Sequence, residues 1–127
     1  MAIKIKTIER AQPGILGGGI KKYYLAPERG QEISFEGLAQ TIEKACTLTK
    51  TDILAVLNAL VEEAAKGLLE GKAIRLGDLG TLRISISSEG NEKPEKLGAT
   101  SVRNARVLFA PGKILKKMIQ KAEFAKV

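Results

Sequence analysis

Residues 70–83 read EGKAIRLGDLGTLR, and this stretch decides how the chain is organised. Gly71 is well suited to end the helix that precedes it. Residues 72–76 predict a short strand, and the glycines of residues 77–80 predict a tight turn. From Leu82 onward apolar residues alternate with polar ones, which is the pattern of a half-buried strand. The stretch therefore predicts a helix end followed by a β-hairpin.

Two helices are predicted upstream of this hairpin. Ser34 is a suitable N-cap for the first, and Thr49 with Asp52 matches a capping box that opens the second. Their apolar faces comprise Leu38, Ile42 and Ala45 in the first helix, and Ile53, Val56, Leu57, Leu60, Val61, Ala64 and Leu68 in the second. The wide stripe of the second helix has two explanations, core packing within one chain or the core of a dimer.

Downstream, the hairpin opens into a polar segment rich in structure-breaking residues, 88–100. The chain returns as a strand from near Ser101 to Phe109 and is stopped by Pro111 and Gly112. A last amphipathic helix is predicted from Lys113. Its inward residues are Ile114, Leu115, Met118, Ile119 and Ala122, whereas its lysines point largely to solvent.

The N-terminal part predicts a separate small element. Residues 3–8 alternate isoleucine with lysine and predict a strand, and residues 20–25 predict a second one. Between them Pro13-Gly14 and three consecutive glycines from Gly17 predict a flexible linker loop. We therefore expect an N-terminal β extension over residues 1–33 and the main domain over residues 34–127.

Composition excludes most catalytic chemistry and favours a polyanion as partner. The 127 residues include no histidine and one cysteine, so we expect no enzyme, no metal site, no cofactor and no small-molecule substrate. The chain has 21 basic and 14 acidic residues, a net charge of +7. This charge favours a polyanion, chiefly nucleic acid or an anionic membrane surface. No apolar run suits a membrane span or a secretion signal, so we expect a cytoplasmic protein.

The order and spacing of these motifs resemble the bacterial histone-like HU and integration host factor proteins. Residues 70–83 resemble that family's G-x-x-V-x-L-x-x-F-G-T-F segment, and residues 107–116 resemble its strand end and the entry to its last helix. The resemblance covers residues 34–127, and the leading strands look like the extension of longer HU-like proteins of Bacteroides-type bacteria. It implies an α+β fold, with a V-shaped helix pair, an antiparallel sheet with a β-ribbon arm and a C-terminal helix, as an intertwined homodimer.

The same resemblance implies a nucleoid-associated protein that bends or organises double-stranded DNA, with a proline of each arm inserted into the minor groove. Its DNA-binding residues, carried over by position, are Arg83, Lys93, Pro94, Lys96, Arg103, Arg106 and Lys113. Lys113 has an alternative interpretation as a solvated surface lysine.

The arm tip departs from the family pattern. Pro94 follows Lys93, although the family's intercalating proline follows Arg-Asn, so an ordinary turn proline is the alternative. Residues 88–96 contain three glutamates and two lysines, a net charge of −1 that phosphates repel. This tip supports a second hypothesis, a structural or interaction protein that keeps the HU-like dimer body without strong DNA binding.

Overall fold

The fold is described from a computed structural model, which covers residues 2–11, 14 and 16–127. Pro13 of the predicted glycine-rich loop lies outside these residues. The elements are β1 (Ile3–Arg10), β2 (Lys22–Pro27), α1 (Phe35–Glu43), α2 (Lys50–Leu69), β3 (Ile74–Arg75), β4 (Gly80–Ser88), β5 (Val102–Pro111), α3 (Lys113–Gln120) and β6 (Phe124–Lys126). They form two compact units, residues 1–32 with 118–127, and residues 33–117.

Both predicted N-caps are present in the larger unit. The Ser34 side chain accepts a hydrogen bond from the N–H of Gly37, at 3.4 Å. Thr49 and Asp52 form the complete capping box, in which each side chain accepts from the other residue's backbone N–H. Helix α1 ends at Glu43, so Ala45 lies beyond the helix and the predicted face is one residue shorter.

Helix α2 ends at Leu69, just before Gly71, the residue predicted to terminate it. Gly71 adopts a φ of 81°, in the left-handed region that favours glycine. The N–H of Gly71 donates to the carbonyl of Leu68, and the N–H of Lys72 donates to the carbonyl of Gly67. These two bonds satisfy the last helical carbonyls and turn the chain into β3.

The second sheet carries the predicted hairpin and ribbon, in the order β3-β4-β5 with antiparallel pairing throughout. Strands β4 and β5 pair from Gly80 with Pro111 as far as Ser88 with Val102. Gly112 lies against the turn before β4, where an added Cβ would overlap the carbonyl of Asp78. A glycine is therefore required where α3 begins beside that turn.

The first sheet has the order β2-β1-β6. Strands β1 and β2 match the two strands predicted near the N-terminus, although β2 begins at Lys22 rather than Ile20. Strand β6 was not predicted, and it pairs with β1 in parallel. The last helix ends at Gln120, short of Ala122, because the N–H groups of Lys121 and Ala122 donate three residues back and tighten the final turn.

The core of the described chain is small. Its buried apolar residues are Ala39 of α1 and Ile53 and Ala64 of α2. Large apolar side chains remain half or more exposed on α2, where Val56 is 59% and Val61 is 51% accessible. The sheet of the larger unit also exposes apolar side chains, since Val107 is 54% accessible. Both apolar faces of this unit are therefore left uncovered by the single chain.

Candidate nucleic-acid interface

The β4–β5 ribbon sorts its side chains by polarity. Directly paired residues share a face, so Leu82, Ile84 and Phe109 lie on one side of the ribbon. Arg83 and Arg106 lie on the other, because Arg83 pairs with Leu108 and Arg106 pairs with Ser85. The two arginines are diagonal cross-strand neighbours. The two residues of such a diagonal pair are roughly 7–8 Å apart. Both are exposed.

Arg103 does not belong to this regular face. The register shifts between Ser87, which pairs with Asn104, and Ser88, which pairs with Val102. Arg103 is thus the extra residue of a β-bulge, and a bulge re-aims the side chain of its extra residue. The structure brings Arg83 and Arg106 together and leaves Arg103 at the irregular end of the ribbon.

Small polar side chains fill the space along the arginine face. A groove of about 160 Å³ is lined by Ser85, Ile86, Ser87, Asn104 and Arg106. Hydroxyl and amide groups of this kind commonly contact phosphate and sugar in protein–DNA complexes. The two serines and Asn104 were not among the predicted site residues. The period-2 alternation of Arg83, Ser85 and Ser87 could have indicated the serines, whereas Asn104 joins them only through the pairing of β5 with β4.

The tip of the ribbon is a turn structure rather than an extended loop. Pro94 is the first residue of a short 3-10 helix, Pro94–Lys96. The N–H of Lys93 donates to the side-chain oxygen of Asn91 at 3.0 Å, and the N–H of Leu97 donates to the carbonyl of Pro94. The three predicted tip residues, Lys93, Pro94 and Lys96, are all exposed.

Lys113 begins α3 beside the turn that leads into β4. A groove of about 490 Å³ there is lined by basic Arg75, Lys113 and Lys116, together with Asp78 and Thr81. The N–H of Gly112 donates to the carbonyl of Leu79, and the N–H of Ile114 donates to that of Asp78, so the turn fixes this helix end. Arg75 was not predicted as a site residue, because the groove that it lines with Lys113 forms only when the chain folds. The sequence pattern assigns Lys116 only to the solvent face of α3.

Other kinds of site find little support in the described part of the chain. Residues 2–11, 14 and 16–127 contain no group of three or more histidine, cysteine, aspartate or glutamate side chains that could hold a metal ion. Within the same residues, none of the helices has the length and apolar character needed to cross a membrane. Cys46 is exposed and free.

Comparison with solved structures supports the fold. A candidate bacterial DNA-binding protein from Bacteroides vulgatus is similar over the whole of this chain, with a TM-score of 0.66 and 13% identity. The chain spans about half the length of that protein, 49% of it. An HU protein of Anabaena, solved in complex with DNA, is similar over 69% of this chain and 98% of its own, with a TM-score of 0.52 and 18% identity. At these identities the likeness concerns the fold alone.

Comparison by sequence gives the family. No curated protein sequence matches this chain. The sequence model of the family HU-HIG, described as an HU domain fused to wHTH, Ig, or Glycine-rich motif, matches residues 1–126. The match includes both the ribbon that carries Arg83 and Arg106 and the strands that precede the two helices. The HU-like resemblance is thereby confirmed, and the chain belongs to the HU-HIG family.

Proposed function

We propose that this chain is a histone-like protein that binds double-stranded DNA with little sequence preference and organises or bends it. The observation that carries the proposal is the ribbon face on which Arg83 and Arg106 are exposed together, with Ser85 opposite Arg106 and the Ser87–Asn104 pair further along the same face. The HU-like family and the Anabaena HU–DNA complex support it. Contacts are expected mainly with phosphates and the minor groove, without a base code in the major groove.

The protein acts as a homodimer in this proposal. The chain exposes 11065 Å², whereas a folded monomer of 13.6 kDa exposes roughly 6,600 Å² by the usual scaling of area with mass. Large apolar side chains of α2 and of the ribbon sheet contribute to this exposed area. A second copy that covers these faces gives the main domain, residues 34–127, a core of ordinary size, and gives the assembly two arms. Residues 1–33 form an extension of it.

Within this proposal the predicted residues divide into three groups by role. Arg83, Arg103 and Arg106 neutralise phosphates along the arm, and Lys113 does so at the start of α3 with Arg75 beside it. Lys93, Pro94 and Lys96 form the arm tip. The chain has no enzymatic role, needs no cofactor and works in the bacterial nucleoid.

The test is a titration of labelled duplexes followed by fluorescence anisotropy. We expect binding that weakens linearly with log salt, because released counterions drive it. The variant Arg83→Gln, Arg106→Gln should bind all duplexes more weakly. The matched control, Lys44→Gln, Lys66→Gln, removes the same charge from α2 and from the C-cap of α1, and it should bind like the natural chain. Differences between unrelated duplexes above about 4 kcal/mol would indicate base readout and contradict the proposal.

A second function is favoured by the arm tip itself. Glu89, Glu92 and Glu95 are all exposed there, against Lys93 and Lys96. A negative tip suits contact with a basic protein surface better than contact with DNA. In this alternative the dimer body is a structural or interaction module, and the natural chain shows no salt-dependent retention of duplex DNA.

A further inference from the structure

The three-stranded sheet β2-β1-β6 carries most of its basic residues on one face. On β1, Lys4, Lys6 and Arg10 occupy alternate positions and therefore project from the same side of the sheet. The register pairs Arg10 with Lys22 and Ile8 with Tyr24, which puts both β2 residues on that side as well. We call this surface, formed by Lys4, Lys6, Arg10, Lys22 and Tyr24, the basic face.

The opposite face of the same sheet is mostly apolar. Ile3 and Ile5 lie on it, next to Phe124 of β6, and Tyr23 and Leu25 of β2 complete it. Its charged residues are Glu9, which pairs with Lys21 at 3.7 Å, and Lys126. The charge of this sheet is thus not spread evenly but gathered on one side.

The basic groups of that side are available to a ligand. Lys4, Lys6, Arg10 and Lys22 are all exposed, and among the described residues no carboxylate lies within 4.0 Å of their charged atoms. From Lys4 to Arg10 the strand advances roughly 20 Å at about 3.3 Å per residue. One DNA strand places a phosphate about every 3.4 Å along the helix axis, so a row of this length meets several phosphates.

We propose that the basic face is a second surface that contacts the phosphate backbone of double-stranded DNA, separate from the ribbon arm. The inference rests on the proposed function, because it takes the same ligand. Charge complementarity favours DNA. A membrane surface is disfavoured because interfacial binding needs a broad apolar surface next to the basic side chains. On the basic face the large apolar side chains are Ile8, which is partly buried, and Tyr24, whereas Ile3, Ile5 and Phe124 point the opposite way.

Two adjacent tyrosines make a matched test of this proposal. Tyr24 lies on the basic face and is 49% accessible, whereas Tyr23 lies on the apolar face and is 70% accessible. Each is replaced in the full chain by the photo-reactive analogue p-azidophenylalanine, and the protein is irradiated with a labelled duplex. We expect several-fold more cross-linked DNA from position 24 than from position 23, and we expect high salt to abolish the difference.

A charge variant gives an independent measurement. Lys4→Gln, Lys6→Gln removes two charges from the basic face, and Lys21→Gln, Lys126→Gln removes two charges from elsewhere in the same unit. The slope of log affinity against log salt should fall by about 0.9 for each phosphate that the first variant no longer neutralises. The second variant should keep the natural slope. Circular dichroism checks that both variants keep the sheet.

The outcomes separate the inference from the function on which it rests. If the natural chain binds DNA but positions 23 and 24 cross-link equally and both slopes are unchanged, the inference is overturned and the proposed function stands. If the natural chain binds no duplex at all, the proposed function itself fails. If Lys4→Gln, Lys6→Gln no longer sediments with phosphatidylserine vesicles while its DNA affinity is unchanged, the face binds membranes and the inference is overturned.

Discussion

Pro94 is the residue at which the wedge and turn hypotheses differ most. It occupies the first position of a short 3-10 helix, where its fixed φ and missing N–H are favourable. Alanine also adopts this conformation, so we expect Pro94→Ala to leave both DNA affinity and DNA bending nearly unchanged. Fluorescence energy transfer across an end-labelled duplex measures both quantities in one titration. Reduced bending with retained affinity would show instead that Pro94 acts as a wedge.

The glutamates next to Pro94 give a prediction of the opposite sign. Glu92→Gln, Glu95→Gln removes two exposed negative charges from the arm tip, so DNA affinity should rise by about 0.5–1 kcal/mol at low salt. The control, Glu62→Gln, Glu63→Gln, removes the same charge from α2 and should change affinity little. Equal, unchanged affinity in both variants would mean that the tip stays away from DNA, which favours the interaction-protein alternative.

Residues of the candidate site were predictable where a local pattern marks them. Arg83 and Lys113 were carried over by position because the segments around them, residues 70–83 and 107–116, resemble the HU family, and their role in DNA binding stays a prediction. Arg75 was not predictable, because it approaches Lys113 only through the turn at residues 77–80 and the glycine at position 112. The irregular position of Arg103 was not predictable either, since a bulge depends on the partner strand.

Among the elements, α2 depends most clearly on a single local motif. The hydroxyl of Thr49 accepts from the N–H of Asp52 at 3.3 Å and satisfies one free donor of the first turn. Thr49→Ala should therefore lower the free energy of unfolding by about 1 kcal/mol, measured by urea denaturation. Thr51→Ala, two residues further on and outside the capping box, should cause no loss of stability. Equal losses in the two variants would contradict the role of the cap.

Strand β6 shows why some elements were not predicted. Its three residues are too few for an alternating pattern, and the preceding turns of α3 make a continued helix the simpler interpretation. It exists because Phe124–Lys126 pair with Ile3–Ile5 at the other end of the chain. The two helix N-caps and the hairpin, in contrast, are determined by residues close in sequence, and these features were predicted correctly.

At the scale of the whole molecule, the uncovered apolar surface predicts an obligate dimer. Light scattering after size exclusion should give twice the chain mass of 13.6 kDa at micromolar concentration. Leu60, on the exposed apolar side of α2, is 44% accessible, and Leu60→Glu should shift the protein to unfolded or monomeric species because it puts a charge into the proposed dimer core.

Asn58→Glu provides the control for the dimer prediction. It introduces the same charge two residues away on the same helix, and residues two apart on a helix do not share a face. Asn58 is exposed and outside the apolar stripe, so this variant should remain dimeric with an unchanged denaturation midpoint. A natural chain that is folded and monomeric at micromolar concentration would contradict the dimer. The two arms would then belong to separate molecules, and a single arm with Arg83 and Arg106 would have to hold DNA alone.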